Sequence, residues 1–228
     1  MELNILYEDK YILCLEKPQG IPSQSDKTND EDLMTESMNY LKKKEINPYL
    51  GLIHRLDRPV GGVIVYAKTE FSNKELSKQV QQRETQKEYK AVVCGKPEAE
   101  SAVLEDYLKK LKTINMSKVT TASDSQGKLA RMEYEVLESV ETEEYGILTL
   151  IKVKLYTGRH HQIRVQLSNA NLPIWGDNKY NKKFMKKKDF TNIALWSYKF
   201  GFKHPKSKEY KEFTSSLPNT YPFSQFNI

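Results

Sequence analysis

Gly51-Leu52-Ile53-His54-Arg55-Leu56-Asp57-Arg58-Pro59-Val60-Gly61-Gly62 runs directly into Val63-Ile64-Val65-Tyr66-Ala67. The second stretch reads as a short buried strand from its β-branched content. The first reads as the loop before it, because Pro59, Gly61 and Gly62 punctuate it and the glycines permit close backbone approach. Asp57 sits in that loop between Arg55 and Arg58. Nearby cations favour its ionised form. An anionic carboxylate on a loop can serve as nucleophile or base. An ordinary loop carboxylate paired with an arginine accounts for the same residues, since structural ion pairs perturb carboxylates too.

Upstream, Ser23 to Asp32 is a polar loop. It leads into Thr28-x-x-Glu31, a capping-box pattern, then Leu33, Met34, Met38 and Leu41 at roughly helical spacing. Downstream, Ser72-x-x-Glu75 opens a second helix through Leu76 and Val80. Tyr89 to Cys94 and Ile147 to Leu155 read as strands. The latter alternates Ile151, Val153 and Leu155 with Lys152 and Lys154, which predicts one wet face. Strands and helices mix without a βαβ rhythm, so the expected class is α+β. With no repeat, low-complexity tract or linker, residues 1–228 are expected to form a single domain.

The 228 residues carry 36 Lys and Arg against 30 Asp and Glu, a net charge of +6. That excess alone favours a polyanionic partner only weakly, so placement matters more. Lys182, Lys183, Lys186, Lys187 and Lys188 form one cluster; Lys199, Lys203, Lys206, Lys208 and Lys211 form another. Either could contact phosphates or simply be a solvated face. Cys14 and Cys94 sit in apolar stretches and read as small core residues, which suits a reducing cytoplasm. The N-terminus lacks a signal-peptide pattern and no apolar run is long enough to span a bilayer. The sequence has no phosphate loop with Lys, dinucleotide fingerprint, HExxH or GxSxG. His160 and His161 are adjacent and cannot easily face one metal from a helix or strand, so no metal site is expected.

Five ordered motifs together resemble the RluA-type pseudouridine synthases. His54-Arg55-Leu56-Asp57, with Gly62 and Ala67-Lys68, resembles that family's signature. Asn4-Ile5-Leu6-Tyr7-Glu8-Asp9 with Glu16-Lys17-Pro18-Gln19-Gly20-Ile21-Pro22 resembles its opening strand pair and turn. Lys87-Glu88-Tyr89 is similar to its Lys-x-Tyr motif. Thr157-Gly158-Arg159-His160-His161-Gln162-Ile163-Arg164 is similar to its Thr-Gly-Arg-x-His-Gln-Ile-Arg motif. Pro173, Gly176-Asp177 and Tyr180 follow in order. Ala194-Leu195, Phe202, His204-Pro205 and Leu217-Pro218 resemble its closing strands.

The resemblance implies a pseudouridine synthase fold, a mixed, largely antiparallel bent sheet flanked by helices. It also implies isomerisation of uridine to pseudouridine in structured RNA, ribosomal or transfer. The bond from ribose C1′ to uracil N1 breaks and is remade to C5. Nothing is oxidised or lost, so no cofactor is expected. Asp57 maps to the catalytic carboxylate. Arg164 maps to the arginine that pairs with it; a bidentate arginine would orient the carboxylate and depress its pKa. Tyr89 maps to the active-site tyrosine, which could stack on uracil; a free phenol has a pKa of about 10 and would need help to act as a base. The target must leave its helical stack, and Arg55 maps to an arginine able to enter the vacated space. Arg58, Lys68, Arg159, His161 and Gln162 are the further expected RNA-binding residues. No membrane partner is expected, and the enzyme should act as a monomer in the cytoplasm.

Val60-Gly61-Gly62 replaces the usual Thr-Ser-Gly, His160 replaces a Thr, and Asn181 stands where Gly is common. No S4-type domain is expected, which leaves RNA contacts to the catalytic domain. Loops at Ser23 to Asp32 and Asn181 to Phe190 are the expected seats of specificity. One alternative is an inactive RNA-binding protein on the same fold, though such a remnant has no need of Asp57, Tyr89 and Arg164 together. Another is an Asp-nucleophile hydrolase, for which no His partner motif is present.

Overall fold

The computed structural model describes residues 2–25, 30–44, 48–186 and 191–227. It divides into two units: Met1–Lys87 with Ser197–Ser216, and Glu88–Trp196 with Leu217–Ile228.

The first unit opens with the antiparallel strands β1 (Asn4–Glu8) and β2 (Ile12–Lys17). Asp9 makes their turn, its Oδ1 accepting the N–H of Tyr11 at 2.7 Å and of Ile12 at 2.8 Å. Helix α1 (Leu33–Lys42) follows, capped by Asp32, whose Oδ1 accepts the Thr35 N–H at 2.9 Å. Thr28 of the expected capping box lies outside the described residues. After β3 (Gly51–Leu52) and β4 (Gly61–Ala67) comes helix α2 (Glu70–Gln82). Its start corrects the expectation of Ser72. The cap is Thr69, still extended after β4, whose hydroxyl accepts the Ser72 N–H at 3.1 Å. Ser72 is therefore already helical.

β4 pairs antiparallel with β2, from Ala67 opposite Ile12 to Gly62 opposite Lys17. On its other side lies β10 (Leu195–Lys203), which pairs antiparallel with β11 (Tyr210–Thr214). All seven residues of β4 are buried, which is why the run is continuously apolar rather than alternating. Val63, Val65 and Ala67 join Ile12, Cys14, Ile53, Leu76, Phe200 and Phe202 in one core. Fully burying each large side chain there contributes about 1.5–3 kcal/mol. Gly62 is required where β4 meets β10: its φ is +107°, and a Cβ would lie 2.2 Å from the Ser197 carbonyl oxygen.

The second unit is built on β5 (Gln86–Cys94), β9 (Gly146–Leu155), β8 (Lys128–Thr142), β6 (Ser101–Leu111) and β7 (Met116–Thr120), in that spatial order. Each of these ladders is antiparallel. The expected wet face of β9 exists only at Lys152 and Lys154; Leu148 to Ile151 are buried on both faces. Helix α3 (Gln162–Asn169) packs on β6 and β7, with Val165 against Leu108 and Ala130. Gln166 Nε2 donates to Asp106 Oδ2 at 2.7 Å, stitching α3 to β6.

Among the described residues, three α-helices with antiparallel ladders make the protein α+β, as the mixed pattern predicts. Cys14 and Cys94 are free and buried, as expected. Among the described residues, no helix is long and apolar enough to cross a membrane.

Candidate active site

In the first unit, the loop carrying Asp57 is gripped by the turn that follows β2. Ser23 Oγ donates to the Leu56 carbonyl at 2.9 Å and accepts the Leu56 N–H at 3.2 Å. The Gly20 N–H donates to the Arg58 carbonyl at 2.9 Å, while Arg58 Nε donates to the Gly20 carbonyl at 3.0 Å. Gln19 Nε2 donates to the Pro59 carbonyl at 3.2 Å. The Val60 N–H closes a turn onto the Asp57 carbonyl at 2.9 Å. Backbone on either side of Asp57 is thus pinned by residues more than 30 positions away in sequence, and Asp57 itself is half-buried.

Lys17 lies beneath this loop, fully buried. Its Nζ donates to the carbonyls of Pro18 at 2.9 Å, Ile21 at 2.6 Å and Arg58 at 3.1 Å. Three acceptors match the three N–H bonds of an ammonium. Burial drives its pKa down, the charge of Asp57 resists and that of Arg58 assists, leaving it at about 7. The Lys17 amine, titrating at about 7, therefore lies within electrostatic reach of the Asp57 carboxylate.

The other expected residues of this unit take different places. Arg55 is exposed. Arg58 is held by Gly20 and by an ion pair to Asp30. Lys68 is buried, its Nζ 2.8 Å from Glu8 Oε1. Burial pushes the Glu8 carboxyl up, but hydrogen bonds from Lys68, Tyr40 and Lys44 outweigh it and hold the pKa at about 2. His54 Nε2 accepts the Val65 N–H at 3.2 Å, and its ring stacks on Phe200 with centroids 4.2 Å apart. Burial and the charge of Lys87 push its pKa down to about 3, so it is neutral and structural.

In the second unit, Arg159, His161, Gln162 and Arg164 gather where α3 begins. Gln162 is buried; its Oε1 accepts the Thr157 hydroxyl at 2.8 Å and the Arg159 N–H at 2.9 Å. Arg159 Nε donates to the Leu129 carbonyl at 2.9 Å. His161 caps α3 in the left-handed region, φ 54°. The Ser117 N–H donates to the Tyr180 hydroxyl at 2.6 Å, and that hydroxyl lies 2.8 Å from His161 Nδ1. Burial, then the nearby charges of Arg164, His160 and Lys179, drive the His161 pKa down to about 2, so the ring is neutral. His160 Nδ1 lies 2.9 Å from Ser117 Oγ and its Nε2 3.1 Å from Asn115 Oδ1, tying β7 to this helix start.

Arg164 forms a two-point fork with Asp177, Nε to Oδ2 at 2.8 Å and Nη2 to Oδ1 at 2.7 Å, both side chains buried. Asp177 Oδ1 also accepts the N–H of Lys179 and Tyr180. The plane of the guanidinium is therefore set by Asp177. Tyr89 lies on β5 opposite Val153 and is 8% exposed. Lys17 and Asp177 are the residues that sequence reasoning quoted within motifs without assigning a role. The signal was present in Lys17-Pro18 and Gly176-Asp177, but a partner cannot be read from a motif.

A family model for RNA pseudouridylate synthase matches residues 11–169. An RNA pseudouridine synthase of Aquifex aeolicus is 30% identical over 230 residues, covering 96% of this chain and 71% of that protein. One from Bacillus subtilis is 31% identical, covering 96% and 70%. A ribosomal large subunit pseudouridine synthase C of Buchnera aphidicola is 34% identical, covering 96% and 68%. The solved structure of human RNA pseudouridylate synthase domain containing 1 shares the fold, with a TM-score of 0.79 at 18% identity over 96% of this chain and 85% of that one.

Proposed function

We propose, from the premise that this chain belongs to the RNA pseudouridylate synthase family, that the Asp57 carboxylate carries its reaction. The family's reaction is an isomerisation in which uracil leaves ribose C1′ through N1 and returns through C5. The observation that carries the assignment of Asp57 is the clamped loop. Its backbone is pinned on both sides by the Ser23, Gly20 and Gln19 contacts, and the buried Lys17 amine lies below. A backbone so held presents the carboxylate from one place, which nucleophilic or basic chemistry requires.

Tyr89 is assigned as the ring against uracil. Arg164 brings positive charge to the reaction, its plane set by Asp177. Arg55 is the exposed member of the loop and is assigned the contact with RNA around the displaced base. Arg58, Lys68, Arg159, His161 and Gln162 have polar atoms engaged within their own units. Their part in RNA binding is to hold the contacting loops in place. The proposed substrate is large-subunit ribosomal RNA, by likeness to the Buchnera protein, with transfer RNA as the second class to map. The same reading has one catalytic domain acting as a monomer in the cytoplasm.

Mapping pseudouridine in cellular RNA with and without the gene tests the reaction and identifies the site. Asp57→Asn then tests the residue. RNA affinity should be unchanged, because phosphate contacts come from basic groups, while conversion falls about 100-fold or more. A variant that binds normally and converts uridine at the wild-type rate would sink the assignment.

A further inference from the structure

Lys87 stands apart from the other buried lysines of the first unit. Lys17 has three carbonyl acceptors and Lys68 has Glu8. Lys87 is half-buried, and among the described residues its ammonium makes no hydrogen bond and no ion pair. It lies instead over the Phe200 ring, 5.9 Å from the centroid, and that ring is stacked on neutral His54. Burial lowers its pKa, with no neighbouring carboxylate to oppose the shift. A cation taken partly out of water without an anion is costly, and folds retain such groups poorly unless something supplies the missing charge.

Two placements say where that charge would come from. Strand side chains alternate, so Lys87 and Tyr89 on β5 project to the same face. His54, which feels the Lys87 charge, is three residues before Asp57, at most about 11 Å of chain. Lys87 thus acts on the stretch that leads into the loop assigned to catalysis. RNA carries full negative charge only at its phosphodiesters.

We infer that Lys87 is the seat of one RNA phosphate, at or next to the uridine that the Asp57 loop handles. The aromatic floor of Phe200 and His54 excludes water from one side of the ammonium, which strengthens its attraction to a phosphate oxygen. This role rests on the RNA pseudouridine synthase reading above. Lys87 is a substrate-positioning residue in it, distinct from the reacting groups.

The test uses the full chain and the short ribosomal RNA fragment that the wild-type protein converts. Lys87→Gln should weaken binding about tenfold at moderate salt and reduce the salt slope of log K by about 0.7–0.9, the share of one phosphate. Lys87→Arg should restore both. Single linkages of the fragment are then replaced by neutral methylphosphonates. One linkage flanking the converted uridine should cost the wild-type protein affinity but leave Lys87→Gln indifferent, a coupling that only a direct phosphate contact produces. At saturating RNA, single-turnover conversion by Lys87→Gln should stay within about threefold of wild type. Additive losses at every linkage, or a rate loss with unchanged affinity and slope, would overturn the phosphate seat. Should Lys87→Gln melt early, the methylphosphonate series on wild type and Lys87→Arg decides alone: no sensitive linkage beside the uridine overturns it. Failure of the wild-type protein to form pseudouridine overturns the reaction itself, a result separate from these.

Discussion

Glu8 and Arg164 show how single side chains hold this protein together by charge. Glu8 collects Lys68, Lys44 and Tyr40, and those bonds hold its pKa at about 2 against an ordinary value near 4.5. A carboxylate with a depressed folded pKa stabilises fully above its unfolded value, and the stability is lost as pH falls through the folded value. Denaturant unfolding should therefore show the wild type losing stability between about pH 5 and pH 2. Glu8→Gln should be less stable at pH 7 by about 1 kcal/mol after solvent screening, a gap that closes by pH 2. A gap independent of pH would show that the group acts by packing. Arg164 is the buried counterpart: Arg164→Met removes the guanidinium from the buried Asp177 carboxylate, at a cost of about 3–5 kcal/mol. Below the melting temperature of the variant, turnover should fall more than RNA affinity. Full activity in a folded variant would remove Arg164 from the chemistry.

At the scale of elements, the crossing of β4 and β10 depends on Gly62. Its φ of +107° is strained for any L side chain, and a Cβ would overlap the Ser197 carbonyl. Gly62→Ala should lower stability by at least about 2 kcal/mol, read as a drop in thermal midpoint with Gly20→Ala as the comparison. Gly20 also has positive φ, +83°, but open space around it, so an equal loss at both would mean backbone strain alone and no clash. Here the sequence was partly legible. Val63 to Ala67 announced a buried strand by composition, but Gly61 and Gly62 looked like loop, because the pairing of Gly62 with Lys17 depends on a partner far away in sequence. β6 and β8 escaped notice because each buries one face only, in alternation diluted by charged residues.

For the whole molecule, the net charge of +6 is distributed unequally in its effect. Within the second lysine cluster, Lys199 pairs with Glu212 at 3.1 Å and Lys208 with Glu75 at 2.6 Å, while Lys211 lies over the Tyr7 ring. Much of that group is balanced locally. In the first cluster Lys182, Lys183 and Lys186 are exposed, and Lys187 and Lys188 lie outside the described residues. Replacing Lys182, Lys183 and Lys186 with Gln should flatten the salt dependence of RNA binding by up to about 2–3 in slope. An unchanged slope would take this loop out of the footprint.

The sequence by itself determined the fold class and the family. Composition excluded a disulfide scaffold, the mixed pattern indicated α+β, and ordered motifs pointed to the family and, as proposals, to Asp57, Tyr89 and Arg164. Such features are local, since turn residues, β-branched runs and motif spacing act over a few positions. Only the tertiary structure decided the partners. That Lys17 reaches the carbonyl of Arg58, 41 residues away, that Asp177 rather than solvent orients Arg164, and that Lys68 turns inward to Glu8 all depend on distant segments being brought together. A buried charge is stabilised by whatever the fold places within a few ångströms of it, and that neighbour is set by strand pairing and packing rather than by position along the chain.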